Sequence, residues 1–308
     1  MPDPSSVRYD GPWCHRDIYA NGIRFHAVEA GPAQATAPLI LLLHGFADFW
    51  WSWRHQLGAL GDAGWRAVAV DLRGYGDSDK PPRGYDGWTL AGDVAGLIRA
   101  LGHTGATLVG HADGGLVCWA TAVLHPRLVH SIALINSPHP DALKHAVLHD
   151  AAQRDLWLPG FLRHQLPRYP ERTLTRHDGQ AVEDLLRARS GPTWPGTADF
   201  ADTARRLRSA IRIPGAAHCA LEYQRWAFRS QWRADGRRFM STLRIPLDLP
   251  VLQIHGELDP YIRAESFRRC LRWAPGRELV GIPGAGHFPH QECPERVTAQ
   301  LLRFAGPR

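Results

Sequence analysis

Three short stretches of the chain have residue types and spacing suited to acid–base and nucleophilic chemistry. Gly110-His111-Ala112-Asp113-Gly114 ends an apolar run and opens a helical stretch. Glycines flanking a central residue let a strand turn sharply into a helix, which lifts the central side chain to where a nucleophile belongs. Here that residue is Ala112, which has no attacking atom. Asp113 is adjacent, but successive side chains at such a turn point differently, so its carboxylate is expected to point away from the site. A plain glycine-rich turn is the alternative reading. Pro283-Gly284-Ala285-Gly286-His287-Phe288-Pro289 presents His287 in a glycine-rich loop, the most specific context of the 17 histidines and that of a general base. His290, three residues on, reads as a surface or supporting group. Ile254-His255-Gly256-Glu257-Leu258-Asp259 ends another apolar run and offers Asp259 as the acid that orients a histidine. Capping of the next helix is the alternative role for Asp259, and Glu257 is a weaker rival for the acid.

These motifs need elements to hold them. Ile23–Glu29 reads as a strand after the Asn21-Gly22 turn. Pro38–Leu43, Trp65–Asp71, Thr107–Gly110, Ser131–Ile135, Pro250–His255 and Arg277–Ile282 are short runs, several rich in Val, Leu and Ile. They alternate with helical stretches such as Leu90–Leu101, Gly115–Leu124 and Pro294–Phe304. That pattern predicts an α/β fold: a mostly parallel sheet covered by helices on both faces, with the site at the carboxyl ends of the strands. From 140 to 240 no buried-strand run occurs. Helical patches at Gly179–Arg189, Phe200–Leu207 and Ala217–Trp232 predict a helical cap between two core parts, 1–139 and 241–308. Such an insertion would roof a pocket and exclude water.

Composition narrows the function classes. The chain has 308 residues and a formal charge of +6, but its basic residues are dispersed, so nucleic-acid binding is not expected. No run approaches a membrane span, and Met1–Asp10 has no apolar leader segment, so a cytoplasmic protein is expected. The five cysteines are scattered without a CxxC pair, which argues for free thiols and against a zinc site; no metal and no cofactor are expected. Phe49, Trp50, Trp51, Trp53, Trp157, Trp194 and Trp226 fall in the loop and cap; each alone is core packing, but together they favour a small apolar substrate. The oligomeric state is left as monomer or homodimer.

The chain resembles the epoxide hydrolase branch of the α/β-hydrolase superfamily. The resemblance rests on His44-Gly45-Phe46 followed by Trp51-Ser52-Trp53-Arg54-His55-Gln56, on Asp71-Leu72-Arg73-Gly74-Tyr75-Gly76-Asp77-Ser78, and on Gly286-His287. It covers roughly residues 20–138 and 245–305, and the order elbow, acid, histidine is that of the superfamily. It implies an α/β-hydrolase fold with an oxyanion hole made by the backbone amides of Phe46 and Asp113. It further implies an elbow aspartate that attacks the epoxide, cap tyrosines that donate to its oxygen, and a His–acid pair that activates water. Three departures stand out: Ala112 at the elbow, Ala47 where the branch usually has proline, and Gln224 in a cap tyrosine's place with Tyr223 one position off. Tyr169 is a weak candidate for the second tyrosine. Trp51 and His111 complete the expected substrate contacts with Tyr223 and Gln224. Haloacid-type relatives carry arginines after the elbow, and Gly114-Gly115-Leu116-Val117 has none. The expected function is hydrolysis of a small apolar epoxide or related substrate by water activated at His287–Asp259, or by Asp113 as a displaced nucleophile. The alternatives are a protein that binds an apolar ligand without turnover, and an alanine standing where the native gene has Asp or Ser.

Overall fold

A computed structural model describes residues 2–306. Eight strands form one sheet: β1 Cys14–Ala20, β2 Ile23–Ala30, β3 Leu39–Leu43, β4 Arg66–Val70, β5 Ala106–His111, β6 Val129–Ile135, β7 Val251–Gly256 and β8 Glu278–Ile282. Their spatial order is β1-β2-β4-β3-β5-β6-β7-β8. From β4 to β8 all neighbours are parallel, while β1, β2 and β4 pair antiparallel. β3, β4 and β5 are buried along their whole length. Both faces of the sheet are covered, which is why these segments are runs of aliphatics rather than alternating patterns. The parallel strands bring their carboxyl ends, and hence every motif above, to one edge of the sheet.

β1 has no such run. It is an edge strand in which Ile18 alone is buried, so its sequence carries no apolar run. It joins β2 through Asn21 (φ 46°) and Gly22 (φ 79°), a two-residue hairpin whose positive φ values those residue types tolerate.

Between β6 and β7 the chain forms helices and no strands. The helix Ala198–Ile211 illustrates their construction. Thr197 caps it by accepting from the amide of Phe200 at 3.1 Å. Phe200, Thr203, Ala204, Leu207, Ala210 and Ile211 form its buried stripe at helical spacing. The helices Gln180–Arg189 and Ala216–Arg229 also fall where the sequence patches predict them. The helices Pro140–His149, Ala151–Arg163, Tyr169–Thr175 and Ala234–Leu243 were not anticipated. Ala151–Arg163 carries Pro159 inside it and leaves Leu156 and Leu162 exposed, so it shows no amphipathic stripe.

The aromatic cluster divides. Phe49, Trp50 and Trp53 are fully buried in the core, and Trp51 packs against Tyr9 and Trp13. Their task is packing, not ligand contact. Among the described residues no helix is long and apolar enough to cross a membrane. All five cysteines are unpaired.

Candidate active site

The elbow forms where β5 meets the helix Asp113–Leu124. Ala112 sits between them at φ 47° and ψ −113°, a conformation that costs a residue with a Cβ about 1–3 kcal/mol. Its flanks must be glycine. A Cβ on Gly110 would lie 2.5 Å from the carbonyl of Gly114, and one on Gly114 would lie 2.2 Å from the carbonyl of Leu43. The loop after β3 runs against this turn, since a Cβ on Gly45 would come within 3.1 Å of the Ala112 methyl. Among the described residues the amides of Phe46 and Asp113 donate to no other group. Ala47, next in the loop, has φ 55°. Proline, locked near −65°, could not adopt it.

The histidine loop is held from four sides. His287 Nδ1 lies 2.8 Å from Asp259 Oδ2. Asp259 also accepts from Asn136 Nδ2 at 2.8 Å and from the amides of Tyr261 and Ile262 at 2.7 and 3.1 Å. It therefore holds the turn that follows it and orients the imidazole at once, but it does not cap the next helix, Ala264–Arg268, whose N-cap is Arg263. Both side chains are all but inaccessible. The amide of His287 donates to Arg189 O at 2.8 Å, and its carbonyl accepts from His111 Nε2 at 2.9 Å. Glu292 Oε2 accepts from Gly286 and Gly191, tying the loop to the helical insertion. These contacts leave Nε2 as the free ring atom, and His287 lines a cavity together with Ala112, Asp113 and Phe46.

Asp113 departs from expectation. Its carboxylate does not point away from the site: it lines that cavity and accepts from Gln224 Nε2, on the helix Ala216–Arg229, at 2.7 Å. The cause is its place as first residue of a helix, where the Cα–Cβ bond leans toward the helix N-terminus and hence the cavity. Burial pushes its carboxyl up to about 6, while the Gln224 hydrogen bond and the charges of Arg189 and His287 pull it down. Beyond the Asp113–Gln224 bond lies a second cavity, walled by Leu90, Phe161, Tyr223, Trp226 and Phe239. Trp157 and Leu116 border both.

With this geometry in place, the comparisons with known proteins are specific. The sequence profile of the family described as alpha/beta hydrolase fold matches residues 38–293. Epoxide hydrolase 4 of Mus musculus is 39% identical over 311 residues, covering 99% of this chain and 81% of that protein. The chain belongs to the α/β-hydrolase fold family, in its epoxide-hydrolase-like branch. The AB hydrolase superfamily protein YfhM of Bacillus subtilis is 31% identical, covering 96% of this chain and 98% of that protein. The solved structure of Bacillus megaterium epoxide hydrolase in complex with an inhibitor superposes with a TM-score of 0.78 at 26% identity, covering 94% of this chain and 99% of that one.

Within this α/β-hydrolase the remaining expected contacts sort plainly. Gln224 borders both cavities. Tyr223 does not reach the histidine: its hydroxyl donates to Arg73 O at 2.8 Å, and its ring walls the second cavity. Tyr169 is 52% exposed and Trp51 is a core residue; neither lines the site. His111 borders the first cavity, but its ring turns behind the elbow toward His290. His290 is not a surface group; it is fully buried there. Glu257 is exposed and takes no part in holding His287. Three residues of the site were not anticipated. Asn136 (φ 44°) bonds Asp259, Gly286 O and the amide of Gly256, so it joins the ends of β6 and β7 to the histidine loop. Tyr261 packs edge-on to His287, with ring centres 5.2 Å apart. Arg189 stacks its guanidinium 3.5 Å from the centre of the Tyr261 ring. An Asn directly after a strand, which tolerates positive φ, was the one available signal.

Proposed function

We propose that this α/β-hydrolase opens a small, largely apolar epoxide with water activated by His287–Asp259, and that Asp113 supplies the proton to the opening oxygen. The observation that supports this reading is the shared cavity: a free imidazole nitrogen and a carboxyl raised to about 6 face one space, with Ala112 between their loops. His287 Nε2 takes a proton from water as the water oxygen bonds to an epoxide carbon. The carbon–oxygen bond breaks, and Asp113 protonates the departing oxygen, giving a diol. A proton then returns from imidazolium to carboxylate through solvent, which resets the site. Asp113 thereby takes the part of the cap tyrosines that Gln224 and the displaced Tyr223 do not play. The amides of Phe46 and Asp113 form an oxyanion hole that polarises the substrate oxygen. The insertion from 140 to 240 acts as a cap that keeps bulk water out, and the second cavity accepts the apolar part of the substrate.

The missing side chain at Ala112 favours a second reading, a protein that holds an apolar ligand without turnover. Single-turnover reaction with an aryl epoxide in ¹⁸O-labelled water separates the routes. Label in the first diol formed supports direct attack by water. An unlabelled first diol means that Asp113 itself attacked and that the label enters only later. Turnover no faster than in His287→Ala leaves the binding reading standing.

A further inference from the structure

Behind the elbow, three buried ionisable side chains turn unbonded atoms toward one another. Asp48, His111 and His290 are 5%, 2% and 0% exposed. One donor atom from each lies within 4.8 Å of the other two. Asp48 Oδ2, His111 Nδ1 and both ring nitrogens of His290 make no hydrogen bond among the described residues. Buried polar atoms are nearly always satisfied, so three side chains with unbonded atoms meeting within 4.8 Å of one another indicate something missing between them.

The protonation states are those of ligands. His111 Nε2 faces the carbonyl of His287 at 2.9 Å and must carry the proton, which leaves an unbonded lone pair on Nδ1. A backbone carbonyl accepting from the far side of an imidazole is the usual outer support of a metal-bound histidine. Burial holds both imidazoles well below their ordinary pKa, hence neutral. Burial also pushes the Asp48 carboxyl up to about 7, against the Phe49 amide, the Ser52 hydroxyl and the charge of Arg54, which pull it down. Arg54, whose charge acts on both Asp48 and His290, is committed to Asp199 at 2.6 Å and Gln291 at 2.8 Å.

We infer that Asp48, His111 and His290 form a buried site for one divalent transition-metal cation, held by two imidazole nitrogens and a carboxylate oxygen. Imidazole with carboxylate suits zinc, cobalt, nickel or iron rather than calcium or magnesium. Metal–ligand bonds near about 2.1 Å place donors roughly 3.4 Å apart, so binding draws the side chains inward. His290 is the one free to move: its ring makes no hydrogen bond and rests against Trp53 and His111, with ring centres 4.6 Å away in each case. The ion would tie together the loops after β3, β5 and β8. Through His111 it would fix the carbonyl of His287 without touching substrate.

The test is metal stoichiometry. The full chain is stripped with chelator under mild denaturant, refolded with Co²⁺, dialysed, and measured by mass spectrometry and visible absorption. About one equivalent is expected, with the d–d bands of low-coordinate cobalt. His290→Gln and Asp48→Asn should each weaken retention roughly tenfold or more. His145→Ala/His149→Ala, which removes the stacked pair on the helix Pro140–His149, should retain it. Substoichiometric uptake by the wild type, or equal uptake by His290→Gln, overturns the inference. If the ligand variants do not fold, anomalous diffraction from wild-type crystals decides. Cobalt between the three side chains sustains the site; an ordered water at hydrogen-bond distance from all three, with no anomalous signal, ends it.

Discussion

The two halves of the candidate site are built differently. On the histidine side, Asp259 makes four hydrogen bonds, Asn136 joins two strand ends, and backbone contacts from the elbow and the insertion fix His287. On the elbow side, the turn, the paired amides and the glycines are all in place, yet Ala112 bonds nothing through its side chain. Asp113 next to it depends on one side-chain hydrogen bond, from Gln224. The difference is one of redundancy. The histidine side holds its chemistry through side chains that also hold the fold. The elbow side holds its shape through backbone geometry and one bond from the Ser137 hydroxyl to the Ala112 carbonyl, none of which uses the central side chain.

That comparison breaks or sharpens in order of effect. His287→Ala should lower kcat/KM for an aryl epoxide by about 10²–10⁴-fold with unchanged circular dichroism. A smaller loss would show that the histidine side is scaffold only. Ala112→Asp should restore an attacking carboxylate on a turn already shaped for it, raising the rate tenfold or more. Aspartate tolerates positive φ better than most residues. Mass spectrometry of Ala112→Asp/His287→Ala should then trap an ester on residue 112. No gain in Ala112→Asp would show that the elbow has lost more than its side chain.

Asp113→Asn tests the lone carboxyl through pH. If Asp113 must be protonated, wild-type activity falls as pH rises through about 6, and that limb disappears in the variant. Stability carries the same sign. A carboxyl raised in the folded state stabilises fully below its unfolded pKa of 3.8, and the contribution is lost as pH rises through about 6. Relative to wild type, Asp113→Asn should therefore gain about 3 kcal/mol by denaturant titration at pH 7.5 but not at pH 3.5. The smallest effect belongs to Asn136→Gly, which keeps the positive φ and removes the bonds. It should cost about 1–3 kcal/mol of stability and reduce kcat more than it changes KM, because it loosens Asp259 rather than the cavity.

What the sequence disclosed follows this division. Backbone-determined features were legible: the strands from Leu39 to Ile282, the elbow at Ala112, and the loops bearing His287 and Asp259. Each follows from local rules of apolar runs and glycine spacing. Features that depend on distant partners were not. β1 is an edge strand without an apolar run, although Asn21-Gly22 announced its hairpin. Four helices of the insertion hide behind Pro159, exposed leucines and arginines. The aromatic residues from Phe49 to Trp53 read as a pocket and proved to be core, because composition cannot say which side of a loop a ring packs on. The direction of Asp113 followed from helix geometry that the G-x-x-x-G pattern does not state.

The bond from the His287 amide to Arg189 O couples two events usually treated apart. Glu292 reinforces it by gripping Gly191 on the insertion and Gly286 on the histidine loop with one oxygen. On the proposed reading, an excursion of this segment wide enough to admit a ligand would pull on His287. Admission and alignment would then exclude each other, and a reactive molecule would meet an aligned imidazole only once it was sealed in.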